Sequence, residues 1–447
     1  MKSEWTFPQP SGIILIQYSA NGVPLRRRSV HGVLPKAGIP GSQAENHLRK
    51  GVGTMQYSFN KAISAIPPSA SMAINEKAKA LRAAGKHVIS LAAGEPDFDT
   101  PDRVRSAGIR AISEGRTHYT ESRGIRPLRE GIARMLREDR GIACTADHIL
   151  MAPGGKYAVY ETVRTLIDPG EGQEVLILHP SWVSYAPIVS AAGGVPVGVK
   201  LRFAENYHIT RAALEQAVSP RTRLLIINYP NNPTGCVLSQ EEAECVMEFA
   251  VDHNLLVLSD EVYSTIVYDE AGSVSPASIA SAADHVITVN GFSKSAAMTG
   301  WRVGYICAPR EIVDMIQLLN QHTISCLSDF TMEAALEAPQ CRDEMSAMVE
   351  SYRRRRDFFV AGLNSIPGVT CHLPRGTFYA WAKVDLAGKN SREIADYLLE
   401  EAGVATVPGD AFDPGGACCI RMSFAAAETD LREALRRMDA AIRKYSS

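Results

Sequence analysis

The stretch HVITVNGFSKSAAMTGWR, at His285–Arg302, decides the fold of this chain. Its first six residues are mostly apolar or β-branched, which is typical of a short strand buried on both faces of a parallel sheet. The strand pattern ends at Gly291, and Lys294 and Arg302 follow it. A lysine amine just past a strand end can form a Schiff base with an aldehyde, and a guanidinium can bind a phosphate through paired hydrogen bonds. The stretch therefore predicts a site for a covalently bound aldehyde that carries a phosphate.

Three other short apolar runs end in the same way, with a polar or aromatic side chain soon after the strand. They are EVLIL at Glu174–Leu178 before Trp182, RLLIIN at Arg223–Asn228 before Asn232, and LLVL at Leu255–Leu258 before Asp260 and Tyr263. Ligands of open α/β sheets bind beyond the carboxyl ends of the strands, so we expect these side chains to share a pocket with Lys294. A lone loop lysine is more often solvated, and Asp-Glu or Asn-Pro after a strand is usually turn chemistry. Because the same pattern recurs at several strand ends, it favours a shared binding site over solvated loops and plain turns.

The motifs around these residues resemble those of the class I aminotransferases of pyridoxal-phosphate fold type I, and are similar to those of bacterial aspartate aminotransferases. The resemblance runs from about Ala62 to the C terminus, in the family's order. The motifs that carry it are LAAGEPDFDTP at Leu91–Pro101, HY at His118–Tyr119, GIRPLRE at Gly124–Glu130, PGGK at Pro153–Lys156, NNPTG at Asn231–Gly235, SDEVY at Ser259–Tyr263, SK at Ser293–Lys294, GWR at Gly300–Arg302, RGTFY at Arg375–Tyr379 and CIRMS at Cys419–Ser423. The chain departs from the pattern at Gly291, where many relatives have a serine that binds phosphate.

The resemblance implies an α/β fold, with a large domain whose mostly parallel sheet is flanked by helices and a smaller α+β domain built from both chain ends. We expect residues 106–325 to form the large domain, which binds the cofactor, and residues 61–105 and 326–447 the small one. Helical stretches that alternate with short apolar strands from Pro101 onward independently indicate a parallel sheet. Near the two ends, the pattern predicts helices over Asn75–Ala84, Glu311–Leu319, Cys341–Leu363 and Glu428–Tyr445.

The bulk composition is that of an ordinary globular protein. Of the 447 residues, 45% are hydrophobic and 21% charged, and the net charge is −2. This balance indicates neither a nucleic-acid nor a membrane partner, and no apolar run reaches the length of a membrane span. The nine cysteines form no CxxC pair and the histidines show no metal-binding spacing. We therefore expect no metal site, and a reducing, cytoplasmic compartment.

Residues 1–60 differ from the rest of the chain. They contain scattered Pro and Gly, the basic run Arg26–Arg28 and one short apolar run, Ile13–Ile16. That run is too short for a signal-peptide core. We expect a poorly ordered N-terminal extension. The alternatives are an organellar transit peptide, or an upstream start codon with Met55 opening the region that resembles the family.

The resemblance also implies which residues bind the cofactor, pyridoxal 5′-phosphate. Lys294 is its Schiff-base lysine. Asp260 faces the ring nitrogen and keeps it protonated through opposite charge; its neighbour Glu261 is the competing carboxylate, but successive side chains of a strand face opposite ways. Asn232 and Tyr263 hydrogen-bond the phenolic oxygen, which lowers the pKa of the imine. In isolation, Tyr263 could equally be a core aromatic residue with a satisfied hydroxyl.

The phosphate needs several donors. Gly154 and Gly155 come directly before a predicted helix over Lys156–Ile167, whose first N–H groups favour an anion. A Gly-Gly pair alone is more often a plain turn. Arg302 supplies positive charge, and the resemblance brings Tyr119 to the phosphate bound by the neighbouring subunit.

On the substrate side, Arg421 corresponds to the arginine that binds the α-carboxylate; an arginine inside a strand is costly without a partner, which supports this role. Gly94 offers a backbone contact to the same carboxylate, and Asn232 also faces the substrate. Trp182 stacks on the cofactor ring beside the substrate, or is instead an interdomain core residue. Lys156 has two interpretations of equal weight. It lies beside the cofactor and faces the side-chain carboxylate of an acidic substrate, or it is a solvated first-turn lysine.

We therefore predict a pyridoxal-phosphate-dependent aminotransferase that moves an amino group between an L-amino acid, aspartate-like or aromatic, and a 2-oxo acid such as 2-oxoglutarate. The resemblance implies a homodimer with shared active sites. The same residues would also serve an elimination, a replacement or an oxidation, for example on S-adenosylmethionine, in a specialised pathway. A transcription regulator with an aminotransferase-like domain is a further alternative, disfavoured because residues 1–60 show no succession of amphipathic helices.

Overall fold

The computed structural model describes residues 57–270, 272–414 and 418–446, and four short strands nearer the N terminus. The chain divides into two units, Met1–Ser58 and Phe59–Ser447. In the first unit two antiparallel pairs are described, Pro8–Gln9 with Gly12–Ile13 and Ile16–Tyr18 with Pro24–Arg27. The predicted poor order of residues 1–60 otherwise falls mainly outside the described residues and stays a prediction.

Seven strands of the second unit form a large, mostly parallel sheet, which confirms the predicted fold class. In spatial order they are Ile149–Ala152, Gly304–Cys307, Val286–Gly291, Leu256–Asp260, Thr222–Asn228, Glu174–His179 and Val195–Lys200. Gly304–Cys307 runs antiparallel to both of its neighbours, and the remaining pairs are parallel. The strand predicted over Leu255–Leu258 extends to Asp260, which is its last residue.

Helices cover both faces of this sheet because its strands are apolar on both sides. One face packs against Gly155–Leu166, Tyr185–Ala192 and Arg310–Thr323. The opposite face packs against Arg126–Arg140 and Gln240–Asp252. With both faces covered, the carboxyl ends of the strands are the part of the sheet that can meet a ligand.

A second sheet, which is antiparallel, lies later in the chain. In spatial order its strands are Val369–Cys371, Tyr379–Val384, Cys419–Ser423 and Val407–Pro408. Nearby in sequence, Val404–Ala405 pairs in parallel with Ile89–Ser90, so an early segment joins a late one. Segments from both ends of the unit thus pack together, as a small domain built from both ends requires. The exact boundaries of the two domains stay a prediction.

The remaining helices connect these layers. The α-helices are Lys61–Ser64, Ala70–Ala83, Asp102–Ser113, Arg211–Glu215, Phe292–Ser295, Asp329–Ala335, Arg342–Asn364, Ser391–Glu401 and Glu428–Ser446. The 3-10 helices are Ala146–His148, Phe203–Glu205, Pro276–Ser278, Ala280–His285, Ala338–Gln340 and Gly409–Ala411. The helix predicted over Asn75–Ala84 begins earlier, at Ala70, directly after Ser69 at its N-cap.

The arginine run Arg353–Arg356, in the helix Arg342–Asn364, is only partly exposed to solvent. Its first two members lie near Glu350 at the surface. Arg356 is buried, donates to the carbonyl oxygen of Pro374 at 3.2 Å and has its guanidinium 4.5 Å from the ring centroid of Tyr268. Four consecutive residues span more than one helical turn, so one of them must face the core.

The described residues contain neither a metal-binding cluster nor a membrane-spanning helix. No helix among them is both long and apolar enough to cross a bilayer. No group of three or more His, Cys, Asp or Glu side chains in this part of the chain could hold a metal ion. All nine cysteines lie in the described part of the chain and are free thiols.

Candidate active site

A cavity of about 380 Å³ lies at the carboxyl ends of the large-sheet strands. The predicted site residues that line it are Gly94, Gly155, Lys156, Trp182, Asn232, Asp260, Tyr263, Lys294, Arg302 and Arg421. Two further predicted residues do not line it. Gly154 lies directly beneath the Arg302 side chain, whereas Tyr119 lies on the surface.

Lys294 reaches the cavity from the helical turn Phe292–Ser295, which follows the strand Val286–Gly291 directly. Its Nζ donates a hydrogen bond to the carbonyl oxygen of Gly94 at 2.5 Å. Burial lowers the pKa of Lys294 to about 8, an effect that the nearby carboxylate of Glu95 opposes. The amine is therefore closer to its neutral, nucleophilic form than a solvated lysine.

Asp260 is a buried carboxylate at the end of its strand. The hydroxyl of Tyr185 donates to its Oδ2 at 2.6 Å, and the backbone N–H of Val262 donates to its Oδ1 at 3.2 Å. Burial raises the pKa of Asp260 to about 6, and the Tyr185 hydrogen bond acts in the opposite direction. No lysine or arginine of the described chain forms an ion pair with it, so a cationic ligand group fits this position.

Glu261 faces away from the cavity, as strand alternation predicts. Its carboxylate accepts hydrogen bonds from Ser275 at 2.5 Å and from Arg140 at 3.0 Å. The two adjacent carboxylates of the SDEVY motif therefore lie in different environments, and only Glu261 has a cationic partner among the described residues.

At one end of the cavity, the side chain of Arg302 packs against the backbone of Gly154. Gly154 has a φ of +85° and begins the helix Gly155–Leu166 as its N-cap. A Cβ on Gly154 would lie 2.5 Å from Nη2 of Arg302, so a side chain there would displace the guanidinium. Arg302 donates to the carbonyl oxygens of Thr299 at 2.8 Å and Pro153 at 3.1 Å. A guanidinium beside a helix N-terminus suits a phosphate.

Gly291 lies against the backbone of the neighbouring strand. A Cβ on it would lie 2.8 Å from the Cα of Gly304 and 2.8 Å from the carbonyl oxygen of Val303. A Cβ on Gly304 would in turn lie 2.7 Å from the carbonyl carbon of Gly154. The serine that many relatives carry at the position of Gly291 therefore cannot fit here unless the backbone moves.

Arg421 is buried within the strand Cys419–Ser423. Its Nη1 donates to Oδ1 of Asn232 at 3.1 Å, and its Nη2 donates to the carbonyl oxygen of Ala92 at 2.9 Å. Its Nε has no hydrogen-bond partner among the described residues. Burial lowers the pKa of this guanidinium. A buried cation with an unpaired N–H and no carboxylate beside it fits an anionic ligand.

Asn232 contributes two different groups. Its Oδ1 accepts from Arg421, and its backbone N–H donates to the side chain of Asn228 at 2.9 Å. The Nδ2 amide forms no hydrogen bond within the described chain, which leaves this donor for a ligand. The sequence predicts this donor but not the contact of Asn232 with Arg421.

Lys156 lies in the first turn of Gly155–Leu166 with its Nζ 4.9 Å from the centroid of the Trp182 ring. Burial, and then the charge of Arg302, lower the pKa of Lys156. The side chain lines the cavity although much of it is exposed to solvent. Both interpretations of Lys156 therefore remain compatible with its position.

Tyr119 is 90% exposed and lies outside the cavity. It borders a surface groove together with His118 and residues 326–330. Within one subunit it contributes nothing to the cavity, and its predicted contact with a neighbouring subunit stays a prediction.

Two tyrosines of the cavity were not predicted as site residues. Tyr185 donates to Asp260 and packs edge-on to Trp182, with ring centroids 5.3 Å apart. Tyr379 has its hydroxyl 2.9 Å from that of Tyr263. The sequence carried a signal for each, since Tyr185 follows Trp182 by three residues and Tyr379 ends the RGTFY motif.

A model of the class I and II aminotransferases matches residues 86–438. The chain belongs to this family, whose members of the aspartate aminotransferase type use pyridoxal phosphate. It is 39% identical over 396 residues to a probable aspartate/prephenate aminotransferase of Aquifex aeolicus, covering 87% of this chain and 99% of the relative. These findings confirm the predicted class of enzyme and its cofactor.

Two solved structures extend the comparison. The aspartate aminotransferase of Thermus thermophilus with maleate has a TM-score of 0.82 and 37% identity, covering 86% of this chain and 100% of that chain. An aromatic aminotransferase from Pyrococcus horikoshii has a TM-score of 0.78 and 37% identity, covering 82% of this chain and 99% of that chain. Both are similar to this chain at about the same identity.

Proposed function

We propose that this aminotransferase takes a dicarboxylic amino acid, aspartate or glutamate, as its amino donor and a 2-oxo acid as acceptor. The observation that carries the proposal is that two cations of the cavity, beside Lys294 and Arg302, which the cofactor would occupy, have no carboxylate partner in the described chain. They are Arg421, with its unpaired Nε, and Lys156 above Trp182. Two separate cations suit the two carboxylates of such a substrate.

The residues of the cavity also suit the cofactor. Asp260 is a buried carboxylate without a cationic partner in the described chain, which fits a protonated ring nitrogen. Arg302, Gly154 and Gly155 would bind the phosphate, and Trp182 would cover the ring face. When bound, pyridoxal phosphate accepts electron density from the α-carbon of the substrate.

In the proposed reaction, each of these side chains has its own role. Nζ of Lys294 would bind the cofactor and would move the proton of the substrate α-carbon. Asp260 would hold the ring nitrogen protonated, and the hydroxyl of Tyr263 and Nδ2 of Asn232 would donate to the phenolic oxygen. Arg421 and the backbone at Gly94 orient the α-carboxylate.

A single-turnover assay without acceptor tests the reaction type. We expect aspartate to release about one equivalent of oxo acid per active site and then stop, because transamination leaves the amino group on the enzyme until an acceptor removes it. An elimination would instead continue without acceptor. An absorbance screen of the bound cofactor against the common amino acids then identifies the donors, and a response limited to apolar amino acids would contradict the dicarboxylic proposal.

We also propose a homodimer in which Tyr119 completes the partner's site. The exposed Tyr119 ring and a groove of about 750 Å³ that includes Arg302, Trp301 and Phe330 lie on the surface of a single subunit. A second copy of the chain would cover both.

The free cysteines suit a cytoplasmic, reducing compartment.

Mixing two inactive or impaired variants tests the shared site. In a hybrid of Tyr119→Phe with Lys294→Ala, one site keeps its own Lys294 and receives an intact Tyr119 from the other subunit. We expect activity to rise when the subunits exchange, with either variant alone as the control. If Tyr119 acted within its own subunit, no hybrid site would be intact and mixing would give no gain.

A further inference from the structure

Tyr379 lies among the residues of the proposed site without a role in it. It is buried and lines the cavity. Its hydroxyl is 2.9 Å from that of Tyr263, and the guanidinium carbon of Arg421 lies 4.4 Å from its ring centroid. One side chain thus contacts both a residue proposed for the cofactor and a residue proposed for the substrate.

Gly94 shows how closely the Tyr379 hydroxyl approaches the remaining part of the site. A Cβ on Gly94 would lie 3.1 Å from that hydroxyl oxygen. The carbonyl oxygen of Gly94 accepts the hydrogen bond from Lys294. Tyr379 therefore also lies against the backbone that contacts the lysine.

The hydrogen bond between the two tyrosines has two possible directions with different consequences. A tyrosine hydroxyl has one proton to donate and can accept through its lone pairs. If Tyr263 donated to Tyr379, its proton would not be available to the cofactor. If Tyr379 donates, the Tyr263 proton can point into the cavity, and accepting a hydrogen bond makes Tyr263 a stronger donor.

The ring of Tyr379 has a separate contact. Arg421 lies near two aromatic rings, Tyr379 and Phe412, the second with its centroid 5.0 Å away. Neither ring brings a negative charge, so both fix the guanidinium without competing with a carboxylate for it. Its Nε remains unpaired among the described residues.

We propose that Tyr379 is a positioning residue with two separable actions. Its hydroxyl donates to Tyr263 and directs the Tyr263 proton to the phenolic oxygen of the cofactor, and its ring holds Arg421 for the substrate carboxylate. This inference rests on the proposed function, because it needs the roles assigned there to Tyr263 and Arg421.

The hydroxyl action is tested by the pH titration of the visible absorbance of the bound cofactor. Loss of the Tyr263 donor should raise the pKa of that titration, because the phenolic oxygen is then less stabilised as an oxyanion. We expect Tyr379→Phe to raise it by roughly 0.5 to 1. Tyr263→Phe should raise it further, and the double variant should match Tyr263→Phe alone, because Tyr379 acts only through Tyr263.

Tyr352→Phe is the matched control for this titration. Tyr352 is buried in the same aromatic cluster, 5.3 Å from the Phe378 ring, but does not line the cavity. It should leave the titration unchanged. An unchanged titration in Tyr379→Phe, or additive shifts in the double variant, would overturn the hydroxyl action.

The ring action is tested by the affinity for maleate, a dicarboxylate without an amino group. Tyr379→Leu removes the ring and should weaken maleate binding roughly 5- to 30-fold. Tyr379→Phe keeps the ring and should bind maleate as the wild type does. Equal affinities for all three proteins, or equal losses in both variants, would overturn the ring action. If Tyr379→Leu fails to fold, the Phe variant still decides, because a loss of maleate affinity there contradicts a role for the ring alone.

The wild type separates a failure of this inference from a failure of the proposed function. If wild-type protein shows no pH-dependent cofactor absorbance and no transamination, the proposed function fails. If the wild type shows both and the Tyr379 variants behave like it, only the inference fails.

Discussion

The two cavity cations that we propose for the substrate are held in opposite ways. Arg421 is buried in the middle of a strand, near two aromatic rings, with two hydrogen bonds to Asn232 and Ala92. Lys156 is exposed in the first turn of a helix, and its one described contact is with the Trp182 ring. Arginine is a rigid fork, whereas lysine is a point charge on a flexible stem. The fold thus fixes Arg421, which we propose for the α-carboxylate that all amino acids share. It leaves Lys156, which we propose for the variable side chain, free to adjust.

Lys294→Ala should have the largest effect on turnover. This effect should not depend on how the two substrate cations are held. Proton transfer by a positioned side chain contributes roughly 10² to 10⁴-fold, and this lysine also binds the cofactor. We expect turnover to fall by more than about 10⁴-fold for every donor. Borohydride reduction of the wild type followed by peptide mass analysis should place the cofactor on Lys294, and attachment to another lysine would refute the assignment.

Asp260→Asn should lower turnover by on the order of 10³-fold, because a neutral amide cannot hold the ring nitrogen protonated and a broken buried charge pair costs several kcal/mol. The loss should again be the same for all donors, since Asp260 contacts neither end of the substrate. Near-normal turnover of the cofactor-loaded variant would remove Asp260 from the mechanism.

The same substitution should stabilise the cofactor-free protein at neutral pH. The pKa of Asp260 is raised from 3.8 to about 6 in the folded state. The folded state therefore binds more protons than the unfolded state between these values, and stability falls as pH rises from about 4 to 6. At pH 7 we expect Asp260→Asn to raise the free energy of unfolding by up to about 3 kcal/mol. Thermal unfolding should show this as a higher melting temperature. The advantage should vanish as the pH falls towards 4.

Charge-conserving swaps test the contrast between the two cations directly. Arg421→Lys replaces a fork that makes two hydrogen bonds in a buried strand, and should lower kcat/KM by roughly 10²-fold. Lys156→Arg has room in solvent and should change kcat/KM by less than about fivefold. Equal losses in the two variants would show that both cations are held equally rigidly.

Lys156→Ala should have the most selective effect. Loss of a charge partner for the substrate side chain costs roughly 1–3 kcal/mol, or about 5- to 150-fold. We expect kcat/KM to fall by this factor for aspartate and glutamate, and to stay near the wild-type value for an aromatic donor. Lys200→Ala, at another exposed lysine, is the control. A uniform loss across donors would mean that Lys156 does not discriminate between side chains.

The sequence predicted the positions of several cavity residues because strand ends can be recognised locally. Each of Trp182, Asn232, Asp260 and Lys294 follows a run whose apolar pattern reveals the strand before it. The parallel sheet then brings these ends together without any further information. The structure accordingly brings them to one cavity.

The contacts between side chains could not be predicted in the same way. Tyr185 meets Asp260 across 75 residues, and Tyr263 meets Tyr379 across 116. Such pairs depend on rotamers and on the packing of separate elements, which leave no periodic trace in the sequence. The burial of Arg356 within a run of four arginines was missed for the same reason, because composition does not indicate which member faces the core.

The glycines at 291, 304 and 154 have a consequence for how this site can vary. Their backbones lie in a row so close that a Cβ on Gly291 would meet Gly304, and a Cβ on Gly304 would meet Gly154. The row sets the spacing between the strand that leads to Lys294 and the turn beneath Arg302. A serine at position 291 would therefore require this strand and the strand that begins at Gly304 to move apart. In a library that randomises one of the three positions while the others stay glycine, selection for activity should return glycine, and larger residues should be recovered only in combination.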